Sequence, residues 1–137
     1  MSERQYRRTT RAIEVIVTPK YLESRSEPAL DAHIWSYRIR IENHGEETVR
    51  LRSRHWRITD GAGRQQEVVG EGVVGEQPIL RPGDWFEYES TSGYLTTPSG
   101  GMVGDYTMET PRGESFNVMI PGFLLESPHE AAELRPN

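Results

Sequence analysis

Cysteine is absent from the 137-residue chain. That rules out a disulfide framework, a thiolate nucleophile and every zinc site built on sulfur, and it fits a reducing cytosol. Long apolar runs are missing as well. Mean hydropathy is -0.70, and nothing approaches the roughly 18 apolar residues of a membrane-crossing helix. Met1 to Arg11 is polar and has no apolar h-region, so a cytoplasmic protein is expected and a secretory signal is not. Positive charge is in short supply: the net charge is -5, which disfavours a nucleic-acid binder. Lys20 is the only lysine.

The residues of catalysis are thin. His33, His44, His55 and His129 are scattered without H-x-x-x-H or H-E-x-x-H spacing, so no metal centre and no cofactor are expected. Of the four, His55 beside Trp56 is the one expected to be partly buried. Glu71, Glu76 and Asp84 could converge on a hard cation, although nothing in their spacing requires it. Ser90 lies in an alternating segment and Ser99 in a glycine-rich one, so neither has the context of a nucleophile elbow. The chain therefore reads as a binding module rather than an enzyme.

What is present is alternation, the mark of half-buried strands. Trp35, Tyr37, Ile39 and Ile41 share one parity, Val49 and Leu51 another, and Phe86 with Tyr88, Met102 to Met108, and Phe116 to Ile120 repeat the pattern. Parity changes between Leu51 and Trp56, which predicts a bulge near Ser53 to His55. Asn43-His44-Gly45 predicts a turn between strands adjacent in one sheet. Seven or eight strands predict an all-β fold, a sandwich or a barrel, with a sandwich of two antiparallel sheets the favoured form. Trp35, Tyr37, Ile39, Ile41, Phe86, Tyr88, Tyr106, Phe116 and Val118 are its expected core. Arg38, Arg40, Arg50, Arg52 and Arg54 are expected to form one charged outer face. The length fits a single domain over residues 1–137 with a core from about 12 to 125. A frayed basic arm (Arg4, Arg7, Arg8, Arg11) would precede that core, and a tail with helical character over Ser127 to Arg135 would follow it.

Two long connections hold the candidate binding residues. One contains Gly70, Glu71, Gly72, Val73, Val74, Gly75, Glu76 and Gln77; the other contains Tyr94 and Leu95. Loops this long in a small domain are often functional. Their apolar residues either cap the core or form an exposed patch for a protein partner. Gly70, Gly72 and Gly75 also spell G-x-G-x-x-G, the pattern that cradles a pyrophosphate at a helix N-terminus. Here Pro78 and Pro82 follow at once and no helix can open, so glycines needed in an irregular loop are the ordinary explanation. Direct binding of a nucleotide or a divalent cation there is the alternative. Exposed sandwich edges are compatible with a homodimer.

The order of these motifs resembles the ApaG domain family. The matching elements are His55-Trp56-x-Ile58-Thr59-Asp60, the run Gly70 to Pro78, Leu80-x-Pro82-Gly83, Phe86-x-Tyr88-x-Ser90, Leu95-x-Thr97-Pro98, Met102-x-Gly104-x-Tyr106-x-Met108 and Phe116-x-Val118-x-Ile120-Pro121. The resemblance implies an immunoglobulin-like, fibronectin type III-like sandwich of two antiparallel sheets without established enzymatic activity. It also implies a link to cobalt and magnesium resistance or efflux, and a role in protein–protein interaction. The chain departs from the family pattern at Asp84, where glutamate is usual, and in one extra residue between Tyr88 and Leu95.

Overall fold

The computed structural model describes residues 4–129. Its strands in chain order are β1 (Tyr6–Thr10), β2 (Ile13–Tyr21), β3 (Trp35–Asn43), β4 (Val49–Asp60), β5 (Gln65–Glu71), β6 (Ile79–Leu80), β7 (Trp85–Thr91), β8 (Ser99–Glu109) and β9 (Ser115–Glu126). One antiparallel sheet has the order β1-β2-β3-β7. The other has the order β5-β4-β8-β9, with β6 also paired to β4. The sandwich therefore carries nine strands among the described residues, more than the seven or eight expected.

Alternation builds the core. Val15, Val17, Ile39 and Ile41 come from one sheet, and Leu51, Trp56, Ile58, Met102, Tyr106, Met108, Val118 and Ile120 from the other, all in a single buried cluster. Each such side chain contributes roughly 1.5–3 kcal/mol of burial free energy. Phe86 and Phe116, expected in the core, are only partly buried and pack against its rim. Arg11 covers the Phe116 ring from 4.1 Å.

Three expectations need correction. The basic arm is not frayed from Tyr6 onward: it forms β1. Ion pairs from Arg4 to Glu126 and from Arg11 to Glu47 and Glu114 tie it down. The turn at Asn43 does not join neighbours in one sheet, because β3 pairs with β2 and β7 while β4 pairs with β5, β6 and β8. The buried Asn43 amide donates to the carbonyls of Glu47 and Leu80, which carries the chain across to the other sheet. The arginines do not share one face either. Arg38 and Arg40 lie on β3, Arg50, Arg52 and Arg54 on β4. The register shift falls between Leu51 and Ser53, so the predicted bulge is present, at Arg52, one residue before the expected range. It gives Arg54 the inward parity of Trp56 and Ile58. The tail expected from Ser127 to Arg135 lies mostly outside the described residues.

The two long sides of the sandwich differ. Where β1 meets β9, the Thr10 hydroxyl accepts from Met119 N and the Tyr6 hydroxyl from Leu124 N. On the opposite side, β5 and β7 end their sheets.

Candidate interaction surface

The edge strand β5 runs into the glycine-rich loop at one end and lies beside Tyr94 of the second candidate loop at the other. Its register with β4 is unbroken from Ser53↔Glu71 to Thr59↔Gln65, and among the described residues it pairs with β4 alone. Val69 on this edge is 73% exposed. At one end of β5, a depression of about 260 Å³ is lined by Gln65, Gln66, Ile58, Asp60, Arg64 and Tyr94. At the other end, the chain enters the glycine-rich loop.

That loop divides its apolar residues. Val73 is fully buried and belongs to the core, whereas Val74 is 54% exposed. Val73 N donates to Glu76 O and Glu76 N to Val73 O, closing a two-residue turn around Val74 and Gly75. Both central residues have positive φ, +43° and +81°, the signature of a type I′ turn, whose preferred sequence is Asn-Gly. A β-branched residue in the left-handed region is strained. Gly72 also has positive φ, and a Cβ there would run into the Glu76 carbonyl. At Gly70 a Cβ would strike the Arg54 guanidinium, which turns inward and donates to Glu71 O and Gly72 O.

The second loop divides in the same way. Leu95 is buried by a two-way backbone bridge to His33. Tyr94 is 58% exposed, with its hydroxyl donating to Arg25 O. Both original alternatives therefore hold: Val73, Leu80 and Leu95 cap the core, while Val74, Ile79 and Tyr94 stay exposed.

The buried and half-buried titratable residues have partners within the fold. His33, rather than His55, is the buried histidine among the described residues: it is 2% exposed and its Nδ1 shares a hydrogen bond with the Tyr21 hydroxyl. His55 is half-buried between Asp105 at 3.4 Å and Glu67 at 3.8 Å. Burial pushes the Tyr88 and Tyr106 phenols well up, so both stay neutral and bond to each other inside the sandwich. Tyr37 is raised by the same cause, partly offset by a hydrogen bond with Ser90.

Glu71, Glu76 and Asp84 do not converge on a cation site. Asp84 instead caps its own turn, accepting from Arg81 N and Nε. A group invisible in the sequence does form on the outer face of the β1–β2–β3 sheet. There the cross-strand partners Glu14 and Glu42 each place one oxygen 3.0–3.1 Å from His44 Nε2. Their other oxygens are held by Arg7 and Arg40. Only the register of β2 against β3 brings Glu14 to Glu42, and no local spacing announces it.

The ApaG domain model matches residues 23–110. The chain belongs to the ApaG domain family. It is 56% identical over 132 residues to Protein ApaG of Rhodospirillum centenum, covering 96% of this chain and 99% of that protein. It is 59% identical over 124 residues to Protein ApaG of a Bradyrhizobium species (strain BTAi1), covering 90% and 93%. Among solved structures it resembles a Bordetella pertussis protein bearing the name ApaA, with a TM-score of 0.82 and 46% identity over 85% of this chain and 94% of that one. No helix among its described residues is long and apolar enough to cross a membrane.

Proposed function

We propose that this ApaG-family chain is a non-catalytic, cytoplasmic protein-interaction domain. Its partner docks along β5 between Val74 and Tyr94, and any link to cobalt and magnesium homeostasis runs through that partner. Val74 carries the reading. Asparagine would relieve the backbone at this turn position, yet a half-exposed valine stands there at positive φ. Strain kept at a surface position points to a role outside folding, and an exposed aliphatic side chain is suited to contact another protein. The free edge beside it offers backbone donors and acceptors to an extended segment of the partner.

The nucleotide reading finds less support. Gly72 N donates to Arg52 O, and Val73 N and Glu76 N donate within the turn, so these amides are not available to a phosphate. The glycines have backbone reasons of their own.

Partner capture by the wild-type chain and by Val74→Asp tests the proposal, with thermal melts of both as the control. Loss of the captured protein with an unchanged melt is expected. Equal capture by a stably folded Val74→Asp would overturn the reading, and ATP binding that Gly72→Val abolishes would favour the nucleotide alternative.

A further inference from the structure

We infer that a second copy of this chain pairs with the free edge of β5, antiparallel and with Val68 on the two-fold axis. This goes beyond partner docking but uses the same surface. Natural sheet edges are usually blunted by lysine, proline, a bulge or a covering element. β5, Gln65-Gln66-Glu67-Val68-Val69-Gly70-Glu71, has no lysine and no proline, its register with β4 runs without a bulge, and of its two outward charges Glu67 is already paired with Arg57. The opposite side of the sandwich is closed by the bonds between β1 and β9.

The sequence of the edge chooses the occupant and the register. A two-fold antiparallel pair must keep outward residues opposite outward residues, because a one-residue slip turns every side chain to the other face. Glu67, Val69 and Glu71 face outward opposite Arg57, His55 and Ser53. With the axis on Val68, all of β5 overlaps: Gln65 faces Glu71 of the second copy, Gln66 faces Gly70, and Glu67 faces Val69. An amide donor meets a carboxylate and no acid faces an acid. Moving the axis to Glu67 sets that residue against itself. Moving it to Val69 sets Glu67 against Glu71. Both moves shorten the overlap and place like charges directly opposite, which is destabilising. Of the registers that overlap most of β5, the full-length one is thus the one free of repulsion, and axes farther out, on Gln66 or Gly70, keep only three residues of β5 in the overlap.

The exposed anchors fit the same symmetry. Tyr94 sits by Gln65 and Gln66, and Val74 lies just beyond Glu71. An isologous pair brings the Gln65 end of one copy to the Glu71 end of the other. Each exposed Tyr94 then arrives at the end where the second copy presents Val74, and each apolar tip gains cover.

Because the chain has no cysteine, single cysteines report the register directly. Residues directly opposite in an antiparallel pair lie about 4.5–5.5 Å apart at Cα, within disulfide reach. Sedimentation velocity across a wide concentration range is expected to show a monomer–dimer equilibrium. Under mild oxidation Val68→Cys should cross-link to itself, and Glu71→Cys should not. Should Val68→Cys disturb the fold, the exposed pair Glu67→Cys and Val69→Cys replaces it, cross-linking when mixed but not separately. Val69→Glu, which faces Glu67 twice by symmetry, should weaken self-association about tenfold. A monomer at every concentration, or cross-linking through Glu71→Cys in place of Val68→Cys, overturns the dimer. Neither result touches partner docking, which fails separately if Val74→Asp captures the partner as well as the wild type does.

Discussion

Replacing Val74 with asparagine should make the protein more stable and a poorer binder at the same time. An L-residue in the left-handed region costs roughly 1–2 kcal/mol, and asparagine escapes much of this. Val74 has φ of +43° and precedes Gly75 in a turn whose backbone suits Asn-Gly. With the side chain 54% exposed, little packing is lost, so Val74→Asn should gain about 1 kcal/mol. For a domain of this size that raises Tm by about 3–6 °C. The partner's contact loses in turn. A whole buried valine is worth roughly 1.5–3 kcal/mol, and the exposed half supplies about 1 kcal/mol of that, or about a fivefold weaker complex. Thermal melts at low protein concentration and partner titration read the two effects independently. A Tm that falls, or stays put, refutes the strain; unchanged partner affinity refutes the contact.

Tyr106→Phe should destabilise by about 1–3 kcal/mol in urea titration, because it leaves the Tyr88 hydroxyl buried without its partner. The double variant Tyr88→Phe/Tyr106→Phe should recover part of that loss. Glu42 has its carboxyl held below the ordinary value of 4.5 by the hydrogen bond from Arg40, against the opposing effect of burial. A depressed folded-state value gives stability that is present above the ordinary value and lost as pH falls through the lower one. Acid melts of Glu42→Gln should therefore show a shallower loss below that value than the wild type, and parallel curves would refute the coupling. Calorimetric titration with zinc should find no submicromolar site at Glu14, Glu42 and His44, because Arg7 and Arg40 already balance both carboxylates; a stoichiometric tight site would refute this.

Alternation made most of the architecture legible, because a period of two needs only side-chain type. Ile39 and Ile41 face in while Arg38 and Arg40 do not, as expected from parity alone. The parity break before Trp56 located the bulge to within a residue. What escaped was decided by contacts that parity does not encode. The β1–β2 turn uses Arg11 and Ala12 at φ of +46° and +65°, without the glycine or asparagine that marks a hairpin. Its strand therefore looked like a loose arm. The crossover at Asn43 depends on one buried amide reaching Leu80, distant in sequence.

The candidate surface was half legible for a related reason. Both loops stood out as too apolar for passive connections, and the structure keeps each of them partly exposed. Adjacent valines, however, carry no information about which one points inward. The turn decides that: its reciprocal bonds between Val73 and Glu76 hold Val73 against the core and turn Val74 outward. The glycine spacing misleads in the opposite direction, since it matches a phosphate loop while arising from three unrelated local demands. Gly70 makes room for Arg54, Gly72 for the Glu76 carbonyl, and Gly75 completes the turn. Once each glycine has its own backbone reason, the residue in the loop without one is Val74. That makes it the position at which the proposed binding role is most directly tested against folding.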